Sequence, residues 1–261
     1  MFAGILFALA AGLMWGLIFI GPLLIPDYPG TLQSAGRYVA FGLVVLPLAW
    51  FDRRRLRQLA RNDWLEALKL SLVGNLLYYA FLASAIQRTG APISTMIIGT
   101  LPVVITVTAN LCYGNLEGRL SWRKLFPALL IIAAGLACVN TAELRMQGPN
   151  VDWARYLSGL VLAVLAVACW TWYPLRNGIW LRSHAQHKAG SWATAQGLVT
   201  LPLALVFYLL VCGQLHWQQP DFALPFGPQP TRYLLLMMGI GLICSWLGTL
   251  CWNAASQRVP T

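Results

Sequence analysis

Charge is scarce in this chain: 10% of its 261 residues are Asp, Glu, Lys or Arg, against about 25% in an ordinary soluble domain. Acidic residues are scarcer than basic ones, eight against eighteen, and histidine occurs three times. No Asp or Glu falls near the middle of an apolar run; Asp27, Glu66, Glu117 and Glu143 all sit towards the ends. These shortages exclude a soluble domain with a charged shell, and they leave few groups for acid–base or metal chemistry. The six cysteines, Cys112, Cys138, Cys169, Cys212, Cys244 and Cys251, lie in or beside apolar stretches without metal-type spacing. They read as small apolar packing residues; neither a disulfide, a metal site nor a cofactor is expected.

Apolar residues are what the chain has in excess, at 58%. About 20 helical residues cross the roughly 30 Å hydrocarbon layer of a bilayer. Eight runs of that kind are present: Ala3–Ile25, Thr31–Phe51, Trp64–Gln87, Pro92–Tyr113, Leu125–Thr141, Leu157–Leu181, Ser191–Cys212 and Tyr233–Ser256. The predicted fold class is therefore all-α, a polytopic membrane helix bundle. The first run is too long for a cleaved signal peptide, has no basic lead-in and precedes further spans rather than a soluble domain.

A net charge of +10 invites a nucleic-acid reading, but the basic residues alternate by loop. Arg53, Arg54, Arg55, Arg57 and Arg61 follow the second span, and Arg119, Arg123 and Lys124 the fourth; Arg182 and Lys188 follow the sixth, and Arg258 the eighth. The opposite loops hold only Arg88, Arg145, Arg155 and Arg232. Lys and Arg collect in cytoplasmic loops, so the N-terminus is expected in the cytoplasm of a multi-pass inner-membrane protein. The partner is then the lipid bilayer and not nucleic acid. Arg37, Lys69 and Arg176 sit inside spans near an end, where long side chains are expected to snorkel to the headgroups; Glu66 is one turn from Lys69 for pairing.

The chain also repeats itself. A shift of 155 positions lays Gly4, Ala8, Ala11 and Trp15 on Gly159, Ala163, Ala166 and Trp170, positions that share one helical face. The same shift lays Leu43, Val44, Leu46, Pro47, Leu48 and Ala49 on Leu198, Val199, Leu201, Pro202, Leu203 and Ala204. A shift of 170, absorbing a Gly- and Pro-rich loop expected over Gly213–Thr231, lays Ala85, Gln87 and Arg88 on Ala255, Gln257 and Arg258. Spans one to three thus correspond to spans six to eight, and the repeat unit is five spans long. An odd unit enters the membrane the opposite way the second time, which is the inverted-repeat plan of many secondary transporters. The expected division is 1–142 for a five-span repeat and 157–261 for a second one with three. The missing pair is read either as truncation, the preferred reading, or as an open side closed by a partner.

Several short motifs fit this plan: Gly12-Leu13-Met14-Trp15-Gly16, Arg37-Tyr38 opening span two, Ala83-Ser84-Ala85 closing span three, Leu101-Pro102-Val103 in span four, and Glu117-Gly118-Arg119-Leu120-Ser121 before span five. In their order and spacing the chain resembles the EamA family of the drug/metabolite transporter superfamily, over nearly all its length. The resemblance implies ten helices, both termini cytoplasmic, a central cavity between two five-helix halves, and export of amino acids, metabolites or toxic compounds. The expected function is accordingly an inner-membrane secondary transporter exporting amino acids or related small metabolites by alternating access.

Sites in such proteins lie near the bilayer midplane between the repeats, which nominates Trp15, Asn75, Tyr78, Tyr79, Trp170, Tyr173, Trp246 and Asn253 for a small-molecule substrate. Arg37, about two turns into its span, is a candidate for an anionic group. Each asparagine has two readings, a substrate contact or a hydrogen bond that glues helices; for the aromatics, plain packing competes with a cavity wall. Pro102 removes a backbone donor in mid-helix and reads as a hinge or gate, or as a static kink. Without an intramembrane carboxylate, facilitated diffusion or exchange is favoured over proton coupling. Two other classes compete: a non-transporting or truncated membrane subunit or scaffold, and a membrane enzyme. The enzyme reading has only His184 and His187, an H-x-x-H without an acidic neighbour in sequence, which reads better as a solvated basic loop. Nothing in the sequence sets the oligomeric state.

Overall fold

Backbone amides in hydrocarbon must find partners within their own segment, so uninterrupted apolar runs become helices. A computed structural model of the chain, described over residues 2–112 and 152–258 and at isolated helical positions from 122 to 141, follows this rule. No strand occurs among the described residues. Among the described residues seven helices are long and apolar enough to span a bilayer: α1 (Phe2–Leu24), α2 (Gly30–Leu56), α3 (Arg61–Thr89), α4 (Ala91–Cys112), α5 (Trp153–Ser183), α6 (Ala189–Gln218) and α7 (Pro230–Ser256). They overlay seven of the eight predicted spans; the remaining one, Leu125–Thr141, lies outside the described residues apart from those isolated positions.

The helices outrun the hydropathy windows because a hydrogen-bond ladder continues past the edge of the hydrocarbon. At the start of α3, Asp63 Oδ2 accepts the Ala60 N–H at 2.8 Å, capping a turn that hydropathy misses. At the end of α6 the Gln219 N–H still reaches Leu215 O at 2.8 Å. The loop predicted from Gly213 therefore begins at Gln219, six residues later.

Helices α2 and α6 cross through glycine. A Cβ placed on Gly42 would lie 2.5 Å from the Cβ of Leu201, and one on Gly197 would lie 2.5 Å from Val45 Cγ2. The two glycines differ by the same 155 positions as the repeat. Small residues at such crossings let backbones approach closely, which replaces the hydrophobic drive absent between helices in lipid. Around this crossing α1 packs along α7, α5 along α3, and the middle of α7 against α2.

Two helices change their winding at matched points. α3 adopts π-helical hydrogen bonding over Ser71–Leu77 and α7 over Gly241–Leu247, a separation of 170 positions. A π turn loosens the ordinary ladder and is often found at functional sites. Neighbouring helices donate to carbonyls in both turns. Ser34 Oγ of α2 donates to Leu76 O at 3.0 Å, and Trp15 Nε1 of α1 donates to Cys244 O at 2.8 Å. In α4 the winding breaks at Thr100, between helical segments Ala91–Gly99 and Leu101–Cys112. Pro102 follows two residues later, and its ring clashes with the carbonyl four residues back.

Candidate functional site

The matched π turns face each other across the centre of the bundle and enclose a cavity of about 170 Å³. Its wall comprises Trp15, Ile18 and Phe19 of α1, Arg37 and Tyr38 of α2, Asn75 and Tyr78 of α3, Ile98 and Leu101 of α4, Trp170 of α5, and Cys244, Ser245 and Thr249 of α7. Repeat-related positions meet here. The rings of Trp15 and Trp170 touch edge to face with centroids 5.0 Å apart, and Asn75 and Ser245, one from each π turn, stand in the same wall. Tyr78 extends the aromatic surface, its ring 4.7 Å from that of Trp170.

Of the residues predicted for the site, Trp15, Arg37, Asn75, Tyr78 and Trp170 line the cavity. Tyr79, Tyr173, Trp246 and Asn253 stand outside its wall. Tyr79 reaches Ile18 O through its hydroxyl at 3.3 Å, and Trp246 is packed at the edge of the main apolar cluster. Tyr173 and Asn253 belong to a buried polar network behind the cavity. Tyr173 Oη donates to Gln196 Oε1 at 2.9 Å, Gln196 Nε2 donates to Asn177 Oδ1 at 3.0 Å, and Asn177 Nδ2 donates to Asn253 Oδ1 at 2.8 Å. Trp192 Nε1 closes on the same Asn177 oxygen at 2.8 Å. In this network Asn253 ties α7 to α5, the gluing arrangement. Asn75 has only a long bond, Nδ2 to Thr200 Oγ1 at 3.4 Å, which leaves its amide capacity for other partners.

Three expectations about charge are corrected. Arg37 does not snorkel: it is 3% exposed and enclosed by the bundle, because Ser245 and two tyrosine faces hold it inward. Arg176 pairs across helices with Glu66, Nη2 to Oε1 at 2.8 Å, and Lys69 pairs with the same carboxylate at 3.7 Å, as their spacing predicts. The H-x-x-H loop has an acidic neighbour after all, supplied by tertiary packing: His184 Nε2 lies 3.5 Å from Asp63 Oδ1. Trp180 stacks on both His184 and His187, with centroids 4.6 and 5.9 Å away, so the loop is held against the bundle and not simply solvated.

Pro102 is absent from the wall, but Ile98 and Leu101, on either side of the Thr100 break, both belong to it. A hinge there moves two wall residues. Sequence reasoning missed Ser245, Cys244, Thr249 and Tyr38. Ser245 was within reach, since the 170-position shift applied to Asn75 lands on it. A second, wider basin of about 680 Å³ opens where helix ends meet, between Gly30, Arg88, Arg155 and Gln214. Its arginines are engaged, Arg88 Nη1 with Ser158 Oγ and Arg155 Nη2 with Gln87 O, both at 3.0 Å. The central cavity has the convergent polar groups and apolar lining of a ligand site, and the basin shares no lining residue with it.

A profile of the EamA-like transporter family matches residues 2–141. Over all 261 residues the chain is 62% identical to the inner membrane protein YtfF of Escherichia coli, covering 81% of that protein. It is 27% identical over 139 residues to a WAT1-related chloroplastic protein of Arabidopsis thaliana, a match covering 53% of this chain and 32% of that protein. An uncharacterized transporter of Synechocystis is 22% identical over 171 residues, covering 60% of this chain and 50% of that one. A solved crystal structure of a protein without a functional name aligns with a TM-score of 0.66 at 16% identity. That alignment covers 98% of this chain and 79% of the other, and so shares its fold.

Proposed function

Because this chain belongs to the EamA-like transporter family, we propose that it is an inner-membrane secondary transporter that exports amino acids or related small metabolites. Its two halves, 1–142 and 157–261, act as inverted repeats, and the solute occupies the cavity between them. The observation that carries this reading is the cavity wall itself. It is built from repeat-related pairs, Trp15 with Trp170 and Asn75 with Ser245, so the solute sits on the pseudo-symmetry axis about which inverted repeats exchange conformations.

Alternating access needs elements that change shape without breaking the bundle. The π turns of α3 and α7 and the break at Thr100 in α4 all border the cavity, where re-winding by one residue re-aims a wall side chain. Ile98 and Leu101 then act as a gate with Pro102 fixing the hinge. Among the described residues no Asp or Glu stands in the wall, which favours exchange or facilitated diffusion over proton coupling.

The test is uptake and efflux of a mixed metabolite pool in proteoliposomes holding the full chain. Saturable movement above protein-free vesicles is the expected result. Protein that inserts and melts cooperatively yet moves no member of the pool in either direction would overturn the transporter reading.

A further inference from the structure

A guanidinium inside a membrane bundle calls for an anion or a route to water. Arg37 has neither. Its Nε donates to the Ser245 hydroxyl at 3.0 Å, and its Cζ lies 4.3 Å from the Tyr79 ring centre and 5.0 Å from that of Tyr38. Those faces attract a cation through their quadrupoles, but they do not neutralise it. Its Nη1 is buried and has no hydrogen-bond partner. Among the described residues no carboxylate lies within ion-pair distance of Arg37, whereas Arg55, Lys69 and Arg176 each have one.

The same guanidinium forms part of the wall of the central cavity, where no acidic side chain among the described residues opposes it. We propose that the cavity binds the carboxylate of a small monoanionic solute on Arg37, with the solute's apolar body against the touching rings of Trp15 and Trp170 and its polar edge towards Asn75 and Ser245. A planar guanidinium matches a carboxylate through two parallel N–H bonds, which a lysine does not reproduce. This assignment deepens the transport reading and rests on it for the claim that the bound solute is also the one moved.

Two limits on the solute follow from the wall. The volume of about 170 Å³ is close to the roughly 150 Å³ of a cavity that holds benzene, so the apolar body is one ring or a short branched chain. With no Asp or Glu among the described wall residues to hold an ammonium, an amino group on the solute gains no charge contact from them. A deaminated acid therefore binds at least as well as the corresponding amino acid.

The experiment uses the purified full chain and three probes of one shape: benzoate, benzamide and benzylamine, titrated by calorimetry. The wild-type series needs no mutation, and benzoate is expected to bind at least tenfold more tightly than either of the others. Arg37→Lys is expected to weaken benzoate while keeping the order, and Arg37→Gln to remove the preference, with melting temperatures recorded for both. Absence of benzoate binding, equal affinity for the three probes, preference for benzylamine, or unchanged benzoate affinity in a folded Arg37→Gln protein would each overturn the assignment. In proteoliposomes the two readings separate. Movement of neutral or cationic solutes that benzoate does not inhibit sinks the anion site and leaves transport standing. Arg37-dependent benzoate binding without movement of any solute does the reverse.

Discussion

Removing the amide of Asn253 leaves Asn177 Nδ2 without the acceptor it now reaches at 2.8 Å. A buried donor stripped of its partner costs about 1–3 kcal/mol, so Asn253→Leu is expected to lower the melting temperature in detergent. The solute KM of the surviving protein should stay near the wild-type value. Asn75→Ala should behave oppositely: its 3.4 Å bond to Thr200 is weak, and membrane hydrogen bonds average about 0.6 kcal/mol. Stability should then change little while KM rises several-fold. A melting loss without a change in KM would return Asn75 to a gluing role. In sequence these two asparagines read alike, each an amide in mid-span. What separates them is the neighbour on another helix, which composition does not encode. Tyr173 illustrates the same limit. It lies three residues from Trp170 on much the same helical face, yet its hydroxyl turns to Gln196 and away from the cavity.

At the scale of a helix, the π turns position the wall. Deleting Leu72 takes one residue out of the Ser71–Leu77 turn and restores ordinary winding, which rotates one side of α3 against the other by about 100°. Asn75 and Tyr78 then cannot both remain in the wall. Helical content measured by circular dichroism is expected to stay unchanged while transport is lost; retained transport would show that the turn plays no part. The α2–α6 crossing gives a packing test. A Cβ on Gly197 already meets Val45 Cγ2 at 2.5 Å and Phe41 Cζ at 2.9 Å, so Gly197→Leu should cost 1–3 kcal/mol or more, as overpacking does. Seven spans were legible because hydropathy reports the hydrocarbon directly. The π turns were not, since nothing in Ser71–Leu77 or Gly241–Leu247 departs from an ordinary apolar helix except their matched places in the repeat.

For the molecule as a whole, the asymmetric distribution of Lys and Arg between alternate loops predicts an orientation with the N-terminus in the cytoplasm. In a chain stripped of its native cysteines, a single cysteine at Gln219 should react with an impermeant maleimide on intact inverted-orientation controls only after permeabilisation, and on spheroplasts directly. A cysteine at Gln58 should show the reverse pattern. Reaction of Gln58 from the periplasmic side would invert the topology and with it the direction assigned to export. Two sequence shifts point to the inverted-repeat plan, and the π turns, 170 positions apart, match the second of them. The position of the charge was less legible: Arg37 reads as a snorkelling residue until α7, more than 200 positions later, brings Ser245 against it.

The closure of the cavity by α1 and α7 also sets when it comes into being. Trp15 and Cys244 are separated by 229 positions, which a ribosome working at about 5–20 residues per second covers in roughly ten to fifty seconds. Until α7 emerges, α1 waits in the bilayer without its carbonyl partner and the cavity lacks one of its walls. On the transport reading, a nascent chain thus has no complete site for a solute before α7 has entered the bilayer.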